Sequence, residues 1–442
     1  MRRCRLPDDA VEVGVGLLGY GTVGAAVARL LVENADDIER ATGHRLRVVR
    51  ALVRDPARER GFDPGANVLT TDFAAVRDDP TIGVVAEVMG GLEPAGSHVL
   101  ELLGAGKPVV TANKQLVAQQ GSELFAAAVA AGVQLRFEAS VCGAIPVIKV
   151  LRESLVSTNV HRVLGIVNGT TNFILTEMEA GASYADALAE AQRRGFAEAD
   201  PTDDVSGADA AAKMAILATV AFGSRVAFAD VGYRGLESMA PGLPAAAREL
   251  EMVVRLVGAA TLIDDRVDVR VGPALVDRHH PLAAIEGAFN GVMLQGDAIR
   301  EITLEGPGAG GIETASAVVA DLVSIIGTTG TGFLHDDPCW RTLERMPPGD
   351  LRSPFYLHVE VDDRPGVLAE VAERLAAHNV SVARLTQVPL GAGAALHVVL
   401  HEAPQREVEA AVAEIAELAS IHSRPSLLPV ISDRGVVELG WA

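Results

Sequence analysis

A short glycine-rich segment, Gly19-Tyr20-Gly21-Thr22-Val23-Gly24, most constrains how this chain can fold. It directly follows the apolar run 11–18, which reads as a buried parallel strand, and it opens a helical pattern over 25–31. In such a G-x-G-x-x-G order the glycines allow a tight turn, the approach of a pyrophosphate and close helix-to-strand contact. The helix N-terminus adds backbone N–H groups for phosphates. The segment therefore predicts a Rossmann-type nucleotide-binding domain, with a purely structural glycine turn as the alternative.

Further apolar runs extend this predicted domain over residues 11–138. The additional buried strands are expected at 46–53, 83–89, 109–111 and 134–139. Ligands of open α/β sheets collect at the carboxyl ends of the strands, which puts Lys114 on the nicotinamide side. Arg54 follows the second strand, where an NAD enzyme needs a lone acid, and an arginine there favours the 2′-phosphate of NADP. Arg58 is a candidate helper, and an exposed strand-end arginine is the alternative reading of Arg54.

The stretch 195–213 gathers several acids and one lysine around the start of a helix. Pro201 and the pair Asp203-Asp204 disfavour a helix before Ser206, whereas residues 208–222 are rich in strong helix formers. We therefore expect a loop that leads into one helix.

Asp209 and Lys213 share a face of that helix because they are four residues apart, and the loop can bring Glu198 and Asp204 to the same side. The other helix positions are largely apolar, which predicts burial and a partly desolvated Lys213. This arrangement is typical of an active site. The structural alternative is a capping box beside an ordinary ion pair and a solvated acidic loop.

Strand-like and helix-like runs alternate differently from about residue 149 to 303, which predicts a separate α+β substrate domain over residues 139–313. Within it, the polar turn 168–172 offers donors to a carboxylate, although turn chemistry alone also explains it. The glycine-proline corner 140–146, after Glu138, exposes backbone carbonyls that can hold a monovalent cation, with an ordinary loop as the alternative. A helix predicted over 314–330 is expected to pack back on the nucleotide-binding domain.

The C-terminal region is predicted to be a small regulatory module. Prolines mark residues 335–353 as a linker. Residues 354–442 then follow the order βαββαβ, which suits edge-on pairing and the binding of a small effector at the interface.

Charge and cysteine content exclude several kinds of partner. The 442 residues carry a net charge of -20, which argues against nucleic acid and against an anionic membrane surface. Cys4, Cys142 and Cys339 lack any C-x-x-C spacing and predict reduced thiols in a cytoplasm. Acids and Pro7 interrupt the apolar region that a signal peptide needs, and glycine or charge breaks the longer apolar runs. We therefore expect a cytoplasmic protein without a membrane span.

Taken together, these residues closely resemble the homoserine dehydrogenase family over nearly the whole chain after about residue 11. The most specific segments are 110–114, 138–141, 165–175 and 195–213. The terminal module resembles an ACT regulatory domain through residues 363–368. The resemblance implies NAD(P)H-dependent, reversible reduction of L-aspartate 4-semialdehyde to L-homoserine in threonine, methionine and isoleucine biosynthesis. It also implies feedback by threonine and a homodimer or homotetramer, with residues 139–313 as an α+β substrate and dimerisation domain.

The resemblance further implies roles for individual residues. Lys213 would donate the proton to the aldehyde oxygen, with Lys114 close to cofactor and substrate. The candidate substrate-binding residues are Glu198, Asp209, Gly169, Thr170 and Asp204. The candidate residues for NADPH, or NADH, are Gly19, Gly21, Thr22, Val23, Gly24, Arg54, Thr111, Lys114, Gly195 and Gly310. The candidate ligands of a structural sodium ion, mainly through carbonyl oxygens, are Glu138, Val141, Gly143 and Ile145.

Two residues depart from the family pattern: Glu313 stands where relatives usually have proline, and Cys142 where they usually have a small residue. An acid at the start of a helix suits the helix dipole. Cys142 opens the alternative of an acylating aldehyde dehydrogenase, but no histidine lies near it in sequence to activate the thiol. A catalytically silent amino-acid sensor is the other alternative, and the presence of the lysines and acids of the candidate site argues against it.

Overall fold

The computed structural model describes residues 11–239, 242–328, 344–347, 349–391 and 393–431. The chain divides into two compact units, which we describe separately. As far as their residues are described, the first unit comprises Met1–Val163, Ala211–Val231 and Asn290–Thr342. The second comprises Leu164–Ala210, Gly232–Phe289 and Leu343–Ala442.

A parallel sheet forms the centre of the first unit. Its strands are β1 (Val11–Leu18), β2 (His44–Leu52), β3 (Leu69–Thr70), β4 (Ile82–Glu87), β5 (Val109–Thr111) and β6 (Leu135–Arg136). Their order is β3-β2-β1-β4-β5-β6, and every neighbouring pair is parallel. This is the strand order of a doubly wound dinucleotide-binding sheet, so the predicted Rossmann-type fold is confirmed.

Helices cover both faces of this sheet. The helices of residues 11–138 are α1 (Thr22–Glu33), α2 (Ala35–Thr42), α3 (Ala74–Arg77), α4 (Ala95–Gly104) and α5 (Lys114–Ala131). Apolar side chains of α4 and α5 pack on one face, through residues such as Val99 and Leu124. On the other face α1 packs together with a helix from much later in the chain, through residues such as Val27 and Val318. Burial on both faces explains why β1 is apolar almost throughout rather than alternating.

The middle of the chain adds helices and further strands. Its helices are α6 (Val147–Lys149), α7 (Gly169–Glu179), α8 (Tyr184–Arg193), α9 (Thr202–Val205), α10 (Ala208–Phe222), α11 (Leu243–Glu249) and α12 (Gly311–Thr328). Its strands are β7 (Val160–Ile166), β8 (Gly232–Tyr233), β9 (Met252–Ile263), β10 (Arg266–Asp277), β11 (Phe289–Gly296) and β12 (Arg300–Pro307). Of these, β9 and β10 pair antiparallel and β8 runs parallel to β10. α12 is the helix that packs beside α1, and residues 329–330 of the predicted helix lie outside the described part.

The C-terminal module has the predicted βαββαβ order. Its elements are β14 (Arg352–Asp362), α13 (Val367–Ala377), β15 (Val382–Leu390), β16 (Gly393–Pro404), α14 (Gln405–Ala416) and β17 (Ser426–Ile431), preceded by β13 (Glu344–Arg345). The strand order is β17-β14-β16-β15, and both helices pack on one face of the sheet. Residues 432–442 lie outside the described part.

The module is joined to the rest of the second unit by strand pairing. β17 runs parallel to β10, with Leu275 opposite Val430, so the module's sheet continues into the β9–β10 hairpin. Of residues 335–353, which we predicted to be a linker, Glu344 and Arg345 pair with β10, and Arg352 already belongs to β14. Within this range, positions 335–343 and 348 lie outside the described residues.

The described helices include none that is both long enough and apolar enough to cross a membrane.

Candidate functional site

The glycine turn after β1 has the geometry that a pyrophosphate requires. Gly19 has φ +102°, and a Cβ on Gly24 would lie 2.4 Å from the carbonyl oxygen of Gly19, so both positions need glycine. A Cβ on Gly21 would meet no atom within 4 Å, which leaves open space beside the helix. α1 begins at Thr22 with no side-chain cap and no acid in its first turn. Its first N–H groups are therefore available to an anion.

A buried carboxyl group organises the carboxyl ends of β4 and β5. Glu87 is completely buried, and it accepts hydrogen bonds from the Thr111 hydroxyl at 2.6 Å and from the backbone N–H groups of Met89 and Gly90 at 2.8 and 3.2 Å. Burial raises the pKa of Glu87 above its usual value, against the effect of these donors. Sequence analysis missed Glu87, although an acid that ends an otherwise apolar buried strand was a usable signal.

Lys114 opens α5 at the same edge of the sheet. The preceding residue, Asn113, caps this helix by accepting from the N–H of Leu116 at 3.1 Å, and its amide nitrogen donates to the carbonyl of Gly91 at 2.6 Å. The loops after β4 and β5 are thus tied together beside Lys114, which is half-buried.

Arg54 lies just beyond the end of β2, where the sequence put it. Its side chain is exposed, and within the described residues it makes no ion pair. Arg58, four residues on, is exposed as well. Both side chains are therefore accessible to solvent in the loop that follows the carboxyl end of β2.

A second helix begins beside the start of α1. A Cβ on Gly311, the first residue of α12, would lie 2.6 Å from Cγ2 of Thr22. Gly310 has φ +139°, and the carboxylate of Glu313 folds back over its Cα. The acid that replaces the usual proline thus lies in the first turn of α12, next to the glycine expected to approach the cofactor.

The segment 195–210 differs from its prediction in one respect. We expected no helix before Ser206, but Thr202–Val205 forms the one-turn helix α9, and that expectation was wrong. Pro201 occupies its N-cap, and Asp203 and Asp204 lie in its first turn, where acids are favourable. The Ser206 hydroxyl, just before α10, accepts from the N–H of Ala208 at 3.4 Å. The residues that we interpreted as helix breakers are thus helix-starting residues.

Two of the predicted acids meet on one amide group. Nδ2 of Asn168 donates to Oδ1 of Asp204 at 2.7 Å and to Oδ2 of Asp209 at 2.9 Å. Asn168 and Asp209 are buried, with 4% and 5% of their surface exposed. Asn168 also caps α7, because its Oδ1 accepts from the N–H of Thr171 at 2.8 Å. Sequence analysis placed Asn168 in a polar turn but did not assign it to the site.

The start of α7 is held against the acidic loop. Thr170 donates its hydroxyl hydrogen to the carbonyl of Phe196 at 2.6 Å, and a Cβ on Gly169 would lie 2.5 Å from the carbonyl oxygen of Ala288. Gly195 has φ +77°, and Glu198 is exposed. The structure therefore holds Gly169, Thr170 and this loop together and leaves the Glu198 carboxylate in solvent.

The two candidate lysines both belong to the first unit. Lys213 is half-buried on α10, one turn after Asp209, and Lys114 begins α5. Residues that follow each lysine by one turn, Ile216 and Val117, line a common apolar cavity. α5 and α10 are thus neighbours.

The corner after Glu138 is tightly packed. Glu138, 2% exposed, accepts from the N–H groups of Ile148 and Lys149, both at 2.8 Å, and its own N–H donates to Oδ2 of Asp321 at 2.9 Å. Burial and the neighbouring Asp321 carboxyl raise the pKa of Glu138 to about 7. Asp321 was not identified from the sequence, because 183 residues separate it from Glu138.

The loop that follows Glu138 curls back on itself. Cys142 and Gly143 have φ of 53° and 56°, and a Cβ on Gly143 would lie 2.7 Å from the carbonyl oxygens of Pro307 and Gly308. Cys142 is completely buried, so the acylating alternative lacks the accessible nucleophile that it needs. Among the residues that the structure describes, no group of three or more His, Cys, Asp or Glu side chains converges as a metal site.

Three family models match the chain. The model described as homoserine dehydrogenase matches residues 146–323, that of the homoserine dehydrogenase NAD binding domain matches residues 19–138, and that of the ACT domain matches residues 355–420.

Similar proteins agree with these matches. Homoserine dehydrogenase of Mycobacterium tuberculosis strain H37Rv is 43% identical over 394 residues, which cover 86% of this chain and 88% of that protein. A crystal structure of a homoserine dehydrogenase from Thiobacillus denitrificans has a TM-score of 0.90 at 38% identity, covering 95% of this chain and 98% of that one. A hyperthermophilic archaeal homoserine dehydrogenase in complex with NADPH has a TM-score of 0.61 at 29% identity, covering 71% of this chain and 98% of that one. The chain therefore belongs to the homoserine dehydrogenase family, NAD(P)-binding oxidoreductases that act on a CH–OH group, and it carries a C-terminal ACT domain.

Proposed function

We propose that the chain reduces L-aspartate 4-semialdehyde to L-homoserine, reversibly, with Lys213 as the proton donor and NADPH as the preferred cofactor. The observation that carries this proposal is the pair of carboxylates, Asp204 and Asp209, fixed on one buried amide. A half-buried lysine follows one helical turn after Asp209. Acids suit the cationic end of an amino-acid substrate, and an ammonium suits the oxygen of its aldehyde.

The chemistry explains why a lysine is needed. NADPH, when bound, would supply the hydride for the aldehyde carbon. The Lys213 ammonium would stabilise the negative charge on the aldehyde oxygen and donate a proton to that oxygen. Lys114, at the start of α5, would orient the substrate near the cofactor. Asp209, Asp204 and Glu198 would bind the substrate together with the α7 start at Gly169 and Thr170.

The candidate cofactor residues follow the edge of the Rossmann sheet. Gly19, Gly21, Thr22, Val23 and Gly24 would receive the pyrophosphate, supported by the uncapped start of α1. Thr111 and Lys114 stand at the carboxyl end of β5, and Gly310 precedes the helix beside Thr22. Gly195, exposed with a positive φ, would contribute backbone from the acidic loop.

Arg54 would set the preference for NADPH. Its exposed guanidinium follows β2, at the place where a 2′-phosphate is received in this fold. The NADPH complex of the archaeal relative supports the same cofactor class. Steady-state reduction of aspartate semialdehyde should give a higher kcat/KM with NADPH than with NADH. Arg54→Ala should lower the NADPH value ~10-fold and leave the NADH value nearly unchanged, since a charge-assisted contact is removed from one cofactor only. Equal loss with both cofactors would remove Arg54 from this role.

A sodium ion would lie in the corner formed by Glu138, Val141, Gly143 and Ile145. Both carboxylate oxygens of Glu138 accept backbone N–H groups, and its carbonyl oxygen accepts the N–H of Val141 at 3.3 Å, so a sodium ion would bind the second lone pair of that carbonyl oxygen. The positive φ values at Cys142 and Gly143 turn the backbone between Val141 and Ile145. Oxygen ligands suit a hard cation, so these residues fit sodium in a structural role.

The ACT domain would respond to threonine near Arg364 and Gly366. Gly366 has φ +98° and forms the N-cap of α13, and Arg364 lies beside Asp362 and Glu370 at 3.5 and 3.4 Å. Threonine should reduce the activity of the intact protein, and Arg364→Ala should raise the threonine concentration for half inhibition. Activity without threonine should stay unchanged, because this residue belongs to the C-terminal module. Equal inhibition of both proteins would refute this placement. Substitution is the sharper test than truncation, because β17 pairs with β10.

The family resemblance supports the wider setting. The reaction would serve threonine, methionine and isoleucine biosynthesis in the cytoplasm, and the enzyme would act as a homodimer or homotetramer. Cys142→Ala should leave NADPH oxidation by the semialdehyde almost intact, because the thiol is buried and the proposed chemistry does not use it.

A further inference from the structure

The amide of Asn168 has one orientation that satisfies all its neighbours. Its Oδ1 accepts from both the N–H and the hydroxyl of Thr171, at 2.8 and 2.9 Å. This fixes Nδ2 on the opposite side, where its donors meet Asp204 at 2.7 Å and Asp209 at 2.9 Å. A carboxamide with two donor hydrogens and one acceptor oxygen is therefore fully used at a position that is almost completely buried.

This arrangement places two carboxylates within hydrogen-bond distance of one nitrogen atom. Like charges at such separation repel, and the repulsion is stronger away from bulk water. A neutral donor shared between them offsets that repulsion without neutralising either charge. The shared donor thus holds the two carboxylates in one alignment, on the side where a cationic group of the substrate would bind.

We propose that Asn168 is a positioning residue for the amino-acid substrate: it holds Asp204 and Asp209 in the alignment that receives the substrate ammonium group. This inference rests on the proposed function, which assigns these two acids to the substrate. Asn168 itself acts through the carboxylates. Asn168 also caps α7 and thereby fixes the position of Gly169 and Thr170, which follow it directly.

Asn168→Ser separates the two interactions of Asn168, the cap of α7 and the hydrogen bonds to Asp204 and Asp209. Serine is a good N-cap residue and retains an acceptor for α7, but it has no amide donors for the two acids. We expect the KM for homoserine to rise ~10-fold or more, the usual scale for the loss of hydrogen bonds to charged groups. The KM for the cofactor should stay unchanged, and kcat should change less than the KM for homoserine. The matched control is Ser183→Ala, which removes the cap of α8 outside the site and should leave both KM values unchanged.

A double-mutant cycle with Asp209→Asn distinguishes this inference from the proposed function. If Asn168 acts through Asp209, then Asn168→Ser should add little once Asp209 has become Asn. An unchanged homoserine KM in Asp209→Asn alone would overturn the substrate role of Asp209. A raised KM in Asp209→Asn with an unchanged KM in Asn168→Ser would overturn only the positioning role of Asn168.

A purely structural role gives a different pattern. Asn168→Ser would then lower the melting temperature and alter kcat and both KM values together, which would also overturn the inference. If the serine variant does not fold, Asn168→Thr takes its place, because threonine is also an N-cap residue and has no amide donors. It should raise the homoserine KM as expected for the serine variant, with the cofactor KM unchanged. A homoserine KM equal to that of the unmodified enzyme would reject the inference.

Discussion

The helices α1 and α7 begin with the same backbone requirement and meet it in opposite ways. α1 starts after Gly21 without a side-chain cap and without an acid in its first turn, so its N–H groups are left for the charge of a ligand. α7 starts after Asn168, whose side chain caps the helix end and whose amide nitrogen donates to two acids. The N-cap residue thus leaves the N–H groups of α1 open to an anion, whereas at α7 it caps the helix and holds two carboxylates. A dinucleotide brings its own negative charge, whereas an amino acid offers an ammonium group that the protein must match.

The largest effect on turnover is expected at Lys213, the proposed proton donor, which follows Asp209 on α10. Lys213→Ala should lower turnover by ~10²-fold or more, the scale on which general acids contribute. Lys213→Arg keeps the positive charge but barely gives up a proton, so it should restore substrate KM more than kcat. Steady-state kinetics in both directions measures this split. Lys107→Ala is the control, because among the described residues Lys107 donates to the backbone carbonyls of Asp79 and Ile82, and its loss should affect stability rather than turnover. An unchanged rate in Lys213→Ala would remove this lysine from the mechanism.

Gly21→Asp gives α1 an N-cap side chain and so removes the difference between the starts of α1 and α7. The aspartate side chain has open space, and an acid is favourable at an N-cap, so the melting temperature without cofactor should not fall. The NADPH dissociation constant, measured by cofactor fluorescence, should rise ~10-fold or more because the new charge repels the phosphates. The matched control is Gly242→Asp at the N-cap of α11, where the same substitution also has space and should not change NADPH binding. Unchanged NADPH binding in Gly21→Asp would mean that α1 does not receive the cofactor.

The smallest effect is expected on the pH dependence of stability and concerns Glu87, the buried acid at the end of β4. Burial raises the pKa of Glu87, so the folded protein retains its proton at pH values where the unfolded chain has released it. Between these two pKa values the free energy of unfolding therefore falls as pH rises. Glu87→Gln has no such proton, and its melting temperature should decline less from pH 5 toward pH 8 than that of the unmodified protein. Parallel declines in thermal unfolding experiments would contradict the raised pKa.

The parts of the fold that follow local rules were predictable. The strand Val11–Leu18, the glycine turn and the βαββαβ order of the C-terminal module all follow from apolar periodicity and turn residues that act over a few positions. Boundaries were less certain, since the run 134–139 yields a strand of only two residues, Leu135–Arg136. The short helix α9 was missed because its proline and acids were interpreted as breakers rather than as N-terminal residues.

The candidate site was predictable only where its residues lie in one motif. Asp204 and Asp209 were identified from the acidic loop, yet their common partner Asn168 stands 36 and 41 residues away. Asp321 was missed for the same reason, because its contact with Glu138 joins distant segments. Glu87, in contrast, carried a local signal as the acid that ends the buried strand β4. The joining of the ACT sheet to β10 was likewise invisible, since strand pairing between distant segments leaves no local pattern.

The sequence by itself determined the nucleotide-binding motif, the order of the C-terminal module and the family to which the chain is similar. These depend on residue types at fixed short spacings, where sterics and helix or strand propensity act locally. Only the tertiary structure decided which carboxyl groups are buried, which amide holds two of them together and which strand continues the ACT sheet. Burial and hydrogen bonding depend on contacts between segments far apart in the chain, and the free energy of those contacts exists only once the chain has folded.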